Sequence, residues 1–264
     1  KTLRKLLLAQ RSLRGRMPCG ARFSRKGGRA SGDFNTGMGN SLVMVALVMS
    51  VMEGFDSWDC LVDGDNALLF VSVSDMECLR EVVGPRALAA CGQELTVERP
   101  VTVLEEVVFG RSSPVRVDGR PVLVRPWRRV ISNVFSSHAW LHEPGFRKEF
   151  LVGVARCEAH LARGVPIISA YMHSFLRFAG PTQVREHLAF RDYEFMGVRP
   201  ERAPDYSEPS DDTRASFALA FGVDPDEQRR LEREFFSKSW PSVEGPFESH
   251  DGQVDPAFSD PVYG

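Results

Sequence analysis

The chain has 264 residues, 43% hydrophobic and 26% charged, so a buried core is feasible and a wholly disordered polymer is excluded. The net charge of −2 provides none of the global basic excess that marks many nucleic-acid binders. Five scattered cysteines without a CxxC pair exclude a zinc knuckle and fit reduced thiols. The longest apolar run, residues 41–52, is internal and falls short of the about 20 residues that a membrane span needs. Charge is uneven along the chain. Residues 1–30 are rich in Lys and Arg with no acid, which suits a phosphate-facing or simply solvated basic face, and residues 205–264 are acid-rich.

In chain order, Leu3, Leu6, Leu7, Leu8 and Leu13 predict an amphipathic helix over residues 2–13. Pro18, Gly20, Gly27 and Gly28 then predict a turn-rich stretch with a hairpin around residues 21–24. A Gly- and Asn-rich loop over 31–39 leads into residues 40–52, apolar on nearly every face and so a buried helix. Residues 60–73 predict a β-hairpin turning at Gly64-Asp65, and 76–90 a helix. Strands are expected at 95–97 and 101–109, and a second hairpin at 115–125 with Asp118-Gly119 as its turn. Residues 127–195 are mostly helical in pattern and 201–212 read as a polar linker. Two short helices over 213–236 split at 222–225, and 241–264 form a Pro-containing flexible tail. The resulting fold class is α+β.

Two motifs carry chemistry. In Ser31-Gly32-Asp33-Phe34-Asn35-Thr36-Gly37-Met38-Gly39-Asn40, short polar side chains sit among glycines just before a buried helix. Glycine permits close approach of a ligand, and Ser, Thr and Asn can grip a sugar hydroxyl, the ribose 2′-OH being both donor and acceptor. The same stretch would also serve as a Gly-rich helix start with Asn35 or Thr36 as cap. In Val62-Asp63-Gly64-Asp65-Asn66-Ala67, a carboxylate projects from the tip of an apolar hairpin. Mg²⁺ takes one or two carboxylates plus substrate phosphates, so Asp65 suits a divalent ion; an ordinary Asp-Gly turn has the same composition. His138 and His142, spaced i, i+4, lack a third ligand and suit a helix surface or core better than a metal.

The order and spacing of these two motifs resemble motifs B (SGxxxTxxxN) and C (GDD) of viral RNA-dependent RNA polymerases. Ser31, Gly32, Thr36 and Asn40 match every fixed position of motif B. The run Gly28-Arg29-Ala30-Ser31-Gly32-Asp33 looks closest to the tombusvirus-like branch of positive-strand RNA viruses. Downstream, Glu105-Glu106-Val107-Val108-Phe109-Gly110-Arg111 before Pro114-Val115 resembles the D and E region. Val122-Leu123-Val124-Arg125-Pro126 resembles the strand that follows, and residues 213–234 a thumb segment.

The resemblance implies a partial right-hand polymerase, with fingers and palm over 1–126, a helical thumb over 127–240 and a tail over 241–264. Its activity would be RNA-templated nucleotidyl transfer from NTPs with release of pyrophosphate. Asp65, with Asn66, would hold a catalytic Mg²⁺. Ser31, Gly32, Thr36 and Asn40 would bind the incoming nucleotide, and Arg29, Phe109, Arg111 and Arg125 would lie along RNA. Expected partners are template and nascent RNA, NTPs and other viral replication proteins. The expected place is the host cytoplasm, in a membrane-associated replication complex.

The sequence also departs from the family pattern. Asn66 replaces the second Asp of GDD, which loses a charge and would favour Mn²⁺ over Mg²⁺. Thr96 stands where a Lys is usual, so a nearby Lys or Arg, such as Arg99, would have to protonate the leaving group, and Gly110-Arg111 replace Cys-Gln. The family's first catalytic Asp and its triphosphate-gripping basic motif would precede Lys1, so these residues alone are expected to be inactive. The SGxxxTxxxN loop argues against a reverse transcriptase. A silent palm-like RNA-binding or scaffold protein remains an alternative, with Asn66 as its mark.

Overall fold

The computed structural model describes residues 2–17, 19–28, 30–31, 35–137, 139–143 and 145–240, with the backbone alone for His142. The chain falls into two compact units, Lys1–Pro100 and Val101–Gly264. Both mix helices with two-stranded antiparallel sheets, an α+β composition.

In the first unit, α1 (Thr2–Ala9) precedes a hairpin of β1 (Ser12–Arg16) and β2 (Arg22–Lys26). The predicted first helix is thus cut short, with Leu13 in a strand. α2 (Thr36–Val51) starts earlier than expected, inside the polar motif. It is apolar nearly all round, but only the stripe of Leu47, Val48, Val51 and Met52 is buried, against Leu79, Val83 and Ala87 of α3 (Met76–Cys91). β3 (Trp58–Asp63) and β4 (Asn66–Val71) form the predicted hairpin. Its inner face sets Trp58 opposite Val71 and Cys60 opposite Leu69, and all four pack on that core. Arg86 of α3 donates to the carbonyls of Val51 at 2.8 Å and Glu53 at 2.7 Å, satisfying acceptors that the end of α2 leaves open.

The strands expected at 95–97 and 101–109 do not form. Residues 93–103 have no helix or strand, and Leu104–Glu106 makes a 3₁₀ turn. Pro100 has no N–H to give a ladder, and the 3₁₀ turn points Glu105 inward, where it accepts from Ser216 Oγ at 2.9 Å and Arg116 Nε at 3.2 Å. The second predicted hairpin is present as β5 (Ser113–Val117) and β6 (Arg120–Val124). Asp118 (φ 49°) and Gly119 (φ 78°) are both left-handed, as a type I′ turn requires.

The second unit continues with α4 (Trp127–Asn133), α5 (Arg147–Leu161), α6 (Ile168–Ala179), α7 (Arg191–Phe195), α8 (Asp211–Phe221) and α9 (Pro225–Ser237). One core joins the β5–β6 hairpin to these helices through Val115, Val124, Val152, Phe190 and Phe217. That hairpin therefore belongs with the helices that follow it, and the compact units divide ahead of the border expected after residue 126. Gly153 on α5 is required by packing, since a Cβ there would stand 2.3 Å from Phe190 Cζ. The polar stretch 201–210 lacks helix and strand but is tied down. Arg156 donates to the Pro200 and Glu201 carbonyls, and the ring nitrogens of His160 and His173 lie at 2.8 and 3.1 Å from the carbonyls of Arg202 and Pro204. α8 and α9 match the two short helices predicted, each with its N-cap: Ser210 accepts from the Thr213 N–H, and Asp224 from the Asp226 and Glu227 N–H groups.

Candidate active site

The predicted metal-holding tip is a two-residue loop. Asp63 pairs with Asn66 in register, leaving Gly64 and Asp65 as the turn. Gly64 has φ 61° and Asp65 is not left-handed, the pattern of a type II′ turn, which demands glycine first. Asp65 and Asn66 are both exposed, on a hairpin whose inner face is anchored in the core.

The predicted sugar-reading loop lies at the start of α2. Thr36 Oγ1 donates to the Ala30 carbonyl at 2.8 Å, which closes the loop onto the helix and leaves the hydroxyl oxygen free to accept. Asn40, one turn further along, shares the helix face of Thr36 and is half-buried. Ser31 is exposed. Asn35 holds the N-cap position without capping through its side chain. It is buried instead, accepting from Gln10 Nε2 at 2.9 Å. Gly32 and Arg29, as well as His138 and the tail 241–264, lie outside the described residues.

A hydrogen bond joins the two motifs. The Gly64 N–H donates to Ser41 Oγ at 2.9 Å, and Ser41 Oγ donates to the Gly37 carbonyl at 3.0 Å. A single hydroxyl thereby fastens the turn that bears Asp65 to the helix residue next to Asn40. Ser41 was not singled out in the sequence. Thr36 and Ser50 carry hydroxyls on the same helix, so nothing in the sequence set Ser41 apart.

The chemistry of the tip suits one corner of a hard-cation site. It offers a carboxylate and an amide oxygen on a rigid support, and such ions accept phosphate oxygens or water for the rest. No group of three His, Cys, Asp or Glu residues able to hold a metal occurs among the described residues.

Phe109, Arg111 and Arg125 belong to the second unit. Phe109 and Ser112 exchange backbone hydrogen bonds of 2.9 and 3.0 Å around Gly110 (φ 58°) and Arg111 (φ 60°), a tight left-handed turn. Arg125, expected along RNA, is ion-paired with Glu158, whose other oxygen accepts from Tyr193 at 2.8 Å. The Glu158 side chain is only 3% exposed, so its buried charge needs that cation, while the Arg125 side chain stays 52% exposed. Thr96 is exposed.

The sequence profile of the family described as viral RNA dependent RNA polymerase matches residues 1–242. The chain is 33% identical over 230 residues to an RNA-directed RNA polymerase of Red clover necrotic mosaic virus, covering 85% of this chain and 29% of that protein. It is 31% identical over 223 residues to the one of Carnation ringspot virus (isolate Lommel), covering 82% and 28%. With that of Turnip crinkle virus it shares 29% over 222 residues, covering 80% and 27%. The chain thus spans under a third of the length of these relatives. The profile match runs through the helix start, the hairpin tip and both compact units alike, and the chain belongs to the viral RNA-dependent RNA polymerase family.

Proposed function

We propose that this chain supplies the ribose-reading helix start and one metal-holding corner of an enzyme that synthesises RNA on an RNA template. The observation that carries the reading is the Gly64–Ser41 hydrogen bond of 2.9 Å, because it fastens the two motifs together. In this reading Thr36 Oγ1 accepts the proton of the ribose 2′-OH, since its own hydrogen is committed to Ala30. Asn40 offers its amide beside it, and Ser31 and Gly32 complete the loop. Asp65 and the amide oxygen of Asn66 would hold Mg²⁺, or Mn²⁺ where the lost charge matters. When bound, such an ion eases deprotonation of an attacking 3′-hydroxyl and offsets charge on the leaving pyrophosphate.

The first unit would then be palm and partial fingers, and the second would comprise the thumb with the preceding hairpin. Phe109 and the Gly110-Arg111 turn would lie toward nascent RNA. The cytoplasmic setting and the other viral replication proteins belong to the same proposal.

The test replaces the matched 230 residues of the Red clover necrotic mosaic virus protein with this chain and measures templated incorporation of labelled NTPs. Incorporation with Mg²⁺ or Mn²⁺, abolished by Asp65→Ala, is the expected result. Incorporation that persists in Asp65→Ala removes the role assigned to the hairpin. Asn66 favours a second reading, a catalytically silent RNA-binding scaffold. That reading predicts RNA binding without incorporation under either metal.

A further inference from the structure

The start of α2 is held from outside its own helix. Gln10 lies in the turn between α1 and β1. Its neighbour Arg11 fixes that turn at both ends. The Arg11 N–H donates to the Leu8 carbonyl at 3.2 Å, and the Arg11 carbonyl accepts from the Gly27 N–H at 2.8 Å. From this anchored place Gln10 Nε2 reaches a residue 25 positions away and donates to Asn35 Oδ1 at 2.9 Å. Asn35 is 7% exposed, and its carbonyl accepts the first backbone hydrogen bond of α2, from the Gly39 N–H at 2.8 Å.

This departs from the usual role of an N-cap asparagine, whose side-chain oxygen accepts from the second or third N–H of its own helix. Asn35 holds the position without that bond, and its oxygen accepts from Gln10. A local cap would stabilise the helix start wherever the loop carried it. The bond to Gln10 ties the helix start to a second element, the α1–β1 turn. Next to Asn35 is Thr36, whose hydroxyl donates to the Ala30 carbonyl at 2.8 Å. The aim of that hydroxyl therefore has two determinants: Ala30 for its hydrogen, and the seat of Asn35 for the backbone that carries it.

We propose that Gln10 is a positioning residue for sugar discrimination, touching no substrate but setting the Thr36 hydroxyl where a ribose is told from a deoxyribose. The inference rests on the reading of the α2 start as the ribose reader, and adds to it a residue outside both motifs. A polar site rejects an analogue that lacks a hydroxyl because the site's own polar group is then left unpaired. That penalty requires the group to be held in place. A Thr36 free to follow a loosened helix start would find other partners, and a deoxyribose would be rejected less.

In the chimaera with the Red clover necrotic mosaic virus protein, kcat/KM is measured for an NTP and for its 2′-deoxy counterpart. Gln10→Met keeps the side-chain length without the donor, and the NTP-to-dNTP ratio should fall about tenfold, the worth of one hydrogen bond. Gln10→Glu should recover most of the ratio, because Asn35 can turn its amide and donate instead. In an Asn35→Ala background, Gln10→Met should change the ratio no further. A merely structural role would lower both nucleotides alike and leave the ratio where it was, which overturns the proposal. Thr36→Val separates the inference from the reading beneath it. If Thr36→Val leaves the ratio unaltered, or the chimaera binds RNA and incorporates nothing, the ribose reading fails and the inference with it. If Thr36→Val lowers the ratio and Gln10→Met does not, the role of Gln10 alone is overturned. A second measurement needs no activity. In NMR spectra of the full 264-residue chain, Gln10→Met should shift the Thr36 amide resonance and speed hydrogen exchange at the Gly39 amide. A Thr36 resonance and a Gly39 exchange rate that both stay unchanged overturn the proposal.

Discussion

The backbone N–H of Gly64 donates to the side-chain oxygen of Ser41, so the position of the turn bearing Asp65 is set by a helix residue adjacent to Asn40. The hairpin is otherwise held by apolar packing of Trp58, Cys60, Leu69 and Val71 on one face. Packing fixes the sheet against the core, and the hydrogen bond fixes its tip.

Ser41→Ala should therefore cost little stability, about 1 kcal/mol for the lost bond. Its effect on templated incorporation in the chimaeric polymerase should be larger, on the order of tenfold or more, because small displacements of reacting groups are costly. Ser41→Thr keeps a hydroxyl and should recover most of the activity. A Ser41→Ala protein with unchanged incorporation would show that the tip needs no such fastening.

Asn66 stands directly opposite Asp63 in the β3–β4 register, with Asp65 between them in the loop. Asn66→Asp would put like charges across the strand pair. Without metal, the variant should melt lower than the parent, by roughly 0.5 kcal/mol of cross-strand repulsion. Added Mg²⁺ should reverse that order, because the ion neutralises the new carboxylate, and the preference for Mn²⁺ over Mg²⁺ should narrow. Thermal melts of both proteins with and without Mg²⁺ decide the matter. A variant whose melting ignores Mg²⁺ has no metal corner at that tip.

Much of this arrangement was legible in the sequence because local signals agreed. The β3–β4 and β5–β6 turns were marked by Gly-Asp and Asp-Gly between apolar runs, and the turn chemistry dictated their register. The split between α8 and α9 was written in Gly222 and Pro225. Contacts far apart in sequence were not legible. Glu105 turned its segment away from a strand because its partners are Arg116 and Ser216, and nothing near residue 105 announces either. Arg125 was placed along RNA by the resemblance of its strand alone, and its ion pair with Glu158, 33 residues away, has no local signal.

Arg214 is fully buried between α8 and α9, where Glu232 holds it bidentately at 3.1 and 2.7 Å. Glu208 adds a bond of 2.5 Å. Burial opposes the guanidinium charge, but the two carboxylates outweigh it and hold the Arg214 pKa above its ordinary value. Glu232 Oε1 also accepts the N–H of Ile167, which sits at φ 65°. Glu232→Ala would strand a buried cation and an amide together, and should cost about 3–5 kcal/mol. Glu208, with its side chain 67% exposed, should cost within about 1 kcal/mol on the same change. Urea unfolding of the two variants tests this. Equal losses would mean that Glu232 is not the anchor of α9.

Acid should loosen the second unit through Glu105. Burial alone would raise the pKa of this carboxyl. The Ser216 hydroxyl, a bond to its own backbone and the Arg116 guanidinium outweigh that, and the folded pKa lies below the ordinary 4.5. The unfolded chain therefore takes up this proton at a higher pH than the folded one does. Its contribution to stability is fully present above the unfolded value and is lost as pH falls through the folded one. Glu105→Gln should be less stable than the parent at neutral pH, since Arg116 and Ser216 lose a charged acceptor. It should also lose stability less steeply below pH 4.5, because its amide takes up no proton. The exposed Glu227–Arg230 pair, which also lowers a carboxyl pKa, is common to both proteins and cancels in the comparison. The two stability curves, measured by urea unfolding at a series of pH values, should converge in acid. Curves that stay parallel would place the acid sensitivity of this unit in some other carboxylate.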